Sequence, residues 1–271
     1  MSEPIVELSA LTKVFGRGRH AATAVDGVSL TLGRGESLGI VGESGSGKST
    51  TAKMVIGLER PSAGRIVVEG HDWTRPARRV AERRRRGRTV QIVFQDPYTS
   101  LDRRQTVADC LAEVVRLHFG STRAETARRV GELADLVGLD ARQLAARPRA
   151  LSGGQRQRVA IARALAAEPG VVILDEAVSA LDMSIQAQIL NLLDDIRRDS
   201  GVSYLFITHD LAVVRQVTDS VIVMRHGRIV EQGATAAVLD APRDPYTRLL
   251  RDSVPRPGWD PSAVPARGGT Q

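Results

Sequence analysis

Five short stretches of this 271-residue chain are apolar at every position: Leu38 to Val41, Ile92 to Phe94, Val171 to Leu174, Leu205 to Ile207 and Val221 to Met224. A strand with one face in water alternates apolar and polar residues, so unbroken apolar runs of this length predict strands buried on both faces. Helix-compatible stretches lie between them, for example Ser49 to Leu58, Gln155 to Ala167 and Ile185 to Arg198. The last keeps Ile185, Ile189, Leu192, Leu193 and Ile196 on one helical face. Alternation of such strands with helices predicts an α/β layered fold. With 42% hydrophobic residues the chain can bury a full core, and with 3% aromatics that core must be mostly aliphatic.

Two regions depart from this alternation. From about Pro97 to Leu151 the chain reads as helical with no strong strand, which predicts a helical insertion into the α/β core. From about Pro255 it carries Pro255, Pro257, Pro261 and Pro265 with Gly268 and Gly269, a composition that does not pack, so the last dozen residues are expected to be mobile. The single cysteine, Cys110, excludes an internal disulfide and suits a reducing compartment. Met1 to His20 has no apolar core of signal-peptide length, and no run of about 18 apolar residues predicts a membrane span. The chain is expected to be soluble, or peripheral at most.

The net charge of +7 is carried almost wholly by arginine, since Lys13, Lys48 and Lys53 are the only lysines. A basic chain can meet nucleic acid, acidic lipid headgroups or an acidic partner. The densest run, Glu82 to Arg88, has no interleaved aromatics for base stacking and reads as a solvated loop, with headgroup or RNA contact as the alternative.

Gly42-Glu43-Ser44-Gly45-Ser46-Gly47-Lys48-Ser49 fits G-x-x-x-x-G-K-S/T, between an apolar strand and a helix-compatible stretch that continues through Thr50. Glycines let backbone N–H groups curl around phosphate oxygens, and the helix N-terminus adds its dipole. In such a loop Lys48 reaches the β- and γ-phosphates and the Ser49 hydroxyl ligates Mg²⁺. A second apolar run ends in Asp175-Glu176. Carboxyl ends of parallel strands face the ligand crevice, which brings both acids beside the phosphates. Asp175 can hold Mg²⁺ through water, and Glu176 can orient or deprotonate an attacking water. Taken alone, an acidic strand end is as often a solvated terminus.

Leu151-Ser152-Gly153-Gly154-Gln155 opens a second helix with a capping serine and two glycines, a second N-terminus suited to an anion. One nucleotide site has no use for two cradles. A head-to-tail dimer does, each subunit offering its second cradle to the γ-phosphate held by the other. The pentapeptide resembles the signature motif of ABC-type ATPases, and the resemblance covers about residues 5 to 235. It implies a RecA-like P-loop core with a small antiparallel β region from the N-terminus and residues about 60 to 72, together with ATP and Mg²⁺ as cofactors. By the same resemblance Gln95 matches the loop glutamine that senses Mg²⁺ and the attacking water. Ser179-Ala180-Leu181-Asp182 matches the loop that crosses the dimer seam, with Asp182 near nucleotide. His209 matches the histidine that contacts the γ-phosphate. Phe15 takes the place of the aromatic that stacks on adenine, and Ser152, Gly153, Gly154 and Gln155 meet the partner's nucleotide.

Three further strings narrow the likeness: Phe94 to Leu101, Ser184 to Leu193, and Asp244-Pro245-Tyr246-Thr247-Arg248-Leu249-Leu250. They resemble the ATPases of oligopeptide, dipeptide and nickel importers, although Ala177, Ala150 and Asp102-Arg103 depart from the usual residues. The resemblance implies a cassette over residues 1–235, with a helical subdomain at about 97–158, and a C-terminal extension over 236–271. It also implies two multi-span permease subunits, a second ABC ATPase (a paralogue before a copy) and, indirectly, an extracytoplasmic solute-binding protein. The chain is then expected at the cytoplasmic face of the cell membrane, importing peptides, nickel or other small solutes, with no nucleic acid bound. The competing expectation is an ABC ATPase acting on ribosomes or DNA, against which stand the single cassette and the lack of a long coiled-coil insertion.

Overall fold

The computed structural model describes residues 3–253. The chain opens with β1 (Pro4–Phe15), β2 (Ala22–Gly33), the short β3 (Ser37–Val41) and helix α1 (Lys48–Val55). Next come β4 (Ala63–Val68), β5 (His71–Asp72), α2 (Val80–Thr89) and β6 (Val90–Val93). Between β6 and β7 run α3 (Pro97–Ser100), α4 (Val107–Phe119), α5 (Arg123–Val137), α6 (Ala141–Ala145) and α7 (Gly153–Leu165). The rest is β7 (Val171–Asp175), α8 (Met183–Ser200), β8 (Ser203–Thr208), α9 (Leu211–Val217), β9 (Ser220–Arg225), β10 (Arg228–Ala234), α10 (Thr235–Asp240) and α11 (Pro245–Asp252).

Two sheets form. One is antiparallel, in the order β2-β1-β4-β5; the other has six strands in the order β10-β9-β3-β8-β7-β6. All neighbours in the second sheet are parallel except β9 and β10, which a tight hairpin joins. The apolar runs at β3, β7 and β8 are buried at every position, as two-faced burial requires. Successive side chains point to opposite faces. Val172, Leu174, Tyr204 and Phe206 therefore meet Leu111, Leu133, Ile161 and Leu193 of the helices on one side. Ile173, Leu205 and Ile207 meet Leu8, Met54 and Ile66 on the other. Each such Leu or Ile contributes roughly 1.5–3 kcal/mol by leaving water.

The long insertion is helical, and its boundaries are set by local chemistry. Thr106 with Asp109, Thr122 with Glu125 and Asp140 with Gln143 form reciprocal caps at the starts of α4, α5 and α6. Two findings differ from the sequence expectations. The arginine run is a helix, α2, not a loop, and Arg86 within it is buried. Arg86 donates to the Trp73 carbonyl at 3.2 Å and to Glu82, one turn away, at 2.6 Å, with its guanidinium 5.2 Å from the Trp73 ring centre. An i,i+4 acid–arginine pair and an aromatic platform together turn one charge of the run inward. Its neighbours Arg83, Arg84, Arg85 and Arg88 are exposed. Strand β10, half in solvent at the sheet edge, has no apolar run and so left no mark in the hydropathy pattern. The tail expected to be mobile lies outside the described residues. Among the described residues no helix is long and apolar enough to cross a membrane.

Candidate active site

The loop between β3 and α1 is built so that backbone approaches backbone. Gly47 has φ +104°, and a Cβ there would sit 2.4 Å from the Ala24 carbonyl oxygen, so no other residue fits. The β9–β10 turn braces the loop, Gly227 N–H donating to the Ser46 carbonyl at 3.0 Å. Lys48 is 5% exposed and its Nζ donates to the carbonyls of Gly42 and Glu43, both at 2.8 Å, and towards Ser46 Oγ at 3.4 Å. Burial pulls the Lys48 pKa below the usual lysine range, opposed by the negative charges of Glu176, Asp175 and Glu43. Ser49 and Thr50 follow in the first turn of α1, half-buried.

The acidic pair arrives from β7. Asp175, at the strand end, accepts a hydrogen bond from Ser49 Oγ at 2.9 Å. Burial raises its pKa; the Ser49 bond opposes that rise and the charge of Glu176 adds to it. Glu176 stands in the left-handed region, φ +50°, with its N–H donating to the Ile207 carbonyl of β8 at 2.8 Å. A non-glycine residue pays on the order of 1 kcal/mol for that conformation, and the β8 bond holds it there. The turn redirects the Glu176 side chain from the strand course towards His209, whose Nδ1 lies 3.5 Å from Glu176 Oε1. Gln95 Nε2 reaches Ser179 Oγ at 3.5 Å, and that hydroxyl donates to the Glu176 carbonyl at 2.9 Å.

One cleft of about 820 Å³ gathers Gly42, Glu43, Ser44, Ser49, Gln95, Asp175, Glu176 and His209 from the ends of β3, β6, β7 and β8. Convergence at the carboxyl ends of parallel strands is what an open α/β sheet offers a ligand. Ser152, Gly153, Gly154 and Gln155 do not line it. They open α7, where Ser152 Oγ accepts from Gln155 N–H at 3.3 Å and Gln155 Oε1 accepts from Ser152 N–H at 2.9 Å. A Cβ on Gly154 would fall 2.6 Å from Ile185 Cγ2, so this glycine lets α7 lie close on α8, a packing demand invisible in the motif. Asp182 caps α8, its Oδ1 accepting from Ile185 N–H at 2.9 Å. Phe15 is 40% exposed and not a core residue; Lys13 Nζ stands 4.7 Å from its ring centre. Sequence reasoning singled out Asp244 to Leu250 but missed its place at the site: Leu250 of α11 and the capping Ser253 complete the cleft wall. No local signal ties a helix so far along the chain to the phosphate loop.

The residues present fit a nucleoside triphosphate with a divalent cation. A buried ammonium held by its own loop is matched to phosphate oxygens. A hydroxyl and a carboxylate 2.9 Å apart are a cation's ligand pair, and burial makes the carboxylate one that a cation would relieve. Among the described residues no cluster of three or more acidic, histidine or cysteine side chains could hold a metal alone. That suits Mg²⁺, which keeps waters and phosphate oxygens as most of its ligands.

Comparison with known proteins agrees. Residues 25–179 match the ABC transporter family. The oligopeptide transport ATP-binding protein OppF of Lactococcus lactis subsp. lactis is 44% identical over 242 residues, 89% of this chain and 75% of that protein. OppF of Bacillus subtilis is 41% identical over 263 residues, 96% of this chain and 85% of that protein. OppD of Mycobacterium tuberculosis, a longer protein, is 49% identical over 256 residues, 94% of this chain and 40% of its own length. Among solved structures, a dimeric ATP-binding cassette in a post-hydrolysis state with ADP and Pi superposes with TM-score 0.76 at 28% identity, covering 85% of this chain and 98% of that one. A Clostridium perfringens cassette, part of the ABC transporter complex cbiONQ, gives TM-score 0.79 at 29% identity, covering 89% and 92%. With its P-loop α/β core, the cleft beside its Lys48 loop and relatives of this likeness over nearly all its length, the chain belongs to the ABC transporter family of ATP-binding cassettes.

Proposed function

We propose that this chain binds and hydrolyses Mg-ATP as one of two cassettes that energise an importer, with peptides as the cargo. The observation that carries the reading is one cleft lined by Gly42, Glu43 and Ser44 of the Lys48 loop together with Ser49, Gln95, Asp175, Glu176 and His209, while the Ser152 helix opens outside it. Lys48 holds the β- and γ-phosphates, and Ser49 and Asp175 hold Mg²⁺, with Gln95 at its edge. Bound Mg²⁺ supplies charge neutralisation on the phosphates. Glu176 orients and deprotonates the attacking water, and His209 stands beside it to meet the γ-phosphate. Phe15, exposed at the end of β1, stacks on adenine.

Such a cleft is half a site. By helix geometry the N–H groups of Gly153 and Gly154 have no intrahelical acceptor, and they are offered to the γ-phosphate held by a second cassette. Asp182 belongs to the seam between the two. Residues 1–235 then form the cassette, with 97–158 as its helical subdomain and 236–271 as an extension. The cargo assignment rests on the oligopeptide transporters named above. The work is delivered to two multi-span permease subunits at the cytoplasmic face of the membrane, with a paralogous second ATPase.

Two tests follow. Ser152→Arg is expected to bind ATP as the parent chain does yet hydrolyse it poorly, because its own phosphate loop is intact and only the partner's γ-phosphate cradle is blocked. Loss of ATP binding as complete as in Lys48→Ala would sink the shared-site reading; nucleotide titration of both variants decides it. Affinity purification from mild detergent, with neighbouring genes co-expressed, is expected to recover two multi-span subunits and a second ATPase. Ribosomal proteins or nucleic acid in their place would overturn the importer reading.

A further inference from the structure

The cleft has a wall to which the roles above assign no task. Helix α11 and its C-terminal cap bring Leu250 and Ser253 beside Ser49, Glu176 and His209. In its first turn, Tyr246 is 4% exposed and its Oη accepts a hydrogen bond from Glu43 N–H of the phosphate loop at 3.0 Å. The ring is held on several sides. It packs with Val41, Leu211, Val223 and Val238, and the Arg225 guanidinium lies 4.8 Å from its centre. The helix start is pinned as well: Glu231 on β10 accepts from Arg243 N–H at 2.8 Å and Asp244 N–H at 3.1 Å, and Asp244 Oδ1 accepts from Tyr246 N–H at 2.8 Å.

The donor and its carbonyl neighbour belong to one peptide unit. Gly42 C=O and Glu43 N–H lie in a single plane and point opposite ways. The carbonyl end accepts from Lys48 Nζ at 2.8 Å, while the N–H end is bound by Tyr246 at 3.0 Å. A phenol that fixes one end of that plane fixes the direction of the oxygen that holds the Lys48 ammonium. A phenylalanine would fill the same volume, so packing alone does not account for the hydroxyl.

We propose that Tyr246 is a positioning residue for ATP: acting through the Gly42–Glu43 peptide it sets the pose of Lys48, which makes α11 part of the nucleotide site. This rests on the reading of the loop as an ATP site, and the test separates the two. In the full chain, Tyr246→Phe removes only the oxygen. The expected result is a rise of about three- to tenfold in the KM and Kd for ATP, the scale of one lost hydrogen bond. The kcat is expected to stay within about twofold and the nucleotide-free melting temperature to fall by about 2–4 °C at most, the scale of one lost hydrogen bond. Hydrogen exchange at the Glu43 amide, measured without nucleotide, is expected to speed up because that N–H has lost its acceptor. Arg225→Ala, at an exposed position, keeps the oxygen but loosens the ring, and is expected to shift KM in the same direction by less. Lys48→Ala runs in parallel. If it binds ATP normally, the ATP-site reading fails. If it loses ATP while Tyr246→Phe matches the parent in ATP affinity and Glu43 exchange, the positioning role alone is overturned. A nucleotide-free melting loss in Tyr246→Phe well beyond that of one hydrogen bond overturns it too, leaving Tyr246 a packing residue.

Discussion

A Glu176→Gln variant is expected to bind ATP as the parent does and to hydrolyse it about a hundredfold or more slowly, the range for loss of a general base. The substitution preserves the shape of the side chain. It leaves the φ +50° backbone and its hydrogen bond to the Ile207 carbonyl in place, so the loss falls on chemistry and not on folding. His209 Nδ1, 3.5 Å from the glutamate, then faces an amide that cannot take a proton from water. Single-turnover hydrolysis measured beside equilibrium ATP binding separates the two steps. With ATP bound and not consumed, the two cassettes should remain closed on each other, and size-exclusion chromatography should report an ATP-dependent dimer. Turnover near the parental rate would move the catalytic role elsewhere, His209 being the next candidate.

Lys48→Ala is expected to abolish productive ATP binding. In the proposed role the ammonium would supply charge-assisted hydrogen bonds to the phosphates worth roughly 1.5–3 kcal/mol each, so two of them would account for roughly a hundredfold or more in affinity. The gain on binding is smaller than the gross figure because Lys48 already holds the carbonyls of Gly42 and Glu43 at 2.8 Å before any phosphate arrives. The buried position adds to the effect, since few competing waters reach the site and the charge acts at close range. ATP binding near the parental affinity together with normal turnover would reject the phosphate-loop assignment. Isothermal titration with ATP in excess Mg²⁺, with the melting temperature as a control for folding, reads it directly.

Much of the architecture is written in short-range patterns. The runs at Leu38 to Val41 and Val171 to Leu174 are strands buried on both faces because only a two-sided environment tolerates unbroken apolar side chains. Capping serines and threonines mark helix starts, and Ser152 with Gln155 forms the reciprocal cap that the motif spacing allows. The arginine run was misread because charge density says nothing about which member has a partner behind it. Helical spacing puts Glu82 beside Arg86, but only the fold brings Trp73 to it. Gly154 carries a second demand for the same reason, since its closeness to Ile185 depends on how α7 lies on α8.

Local order along the chain was therefore enough for the α/β layering, the phosphate loop, the acidic pair and the second capped helix, because periodicity, glycine conformational freedom and capping act over a few residues. Long-range packing alone settles three things: the left-handed turn that aims Glu176 at His209, the inward pose of Arg86, and the seat of Tyr246 on the Gly42–Glu43 peptide. Each depends on a contact between segments distant in sequence. The last spans 203 positions, a separation over which no pattern in the chain can signal that one side chain will meet one backbone amide.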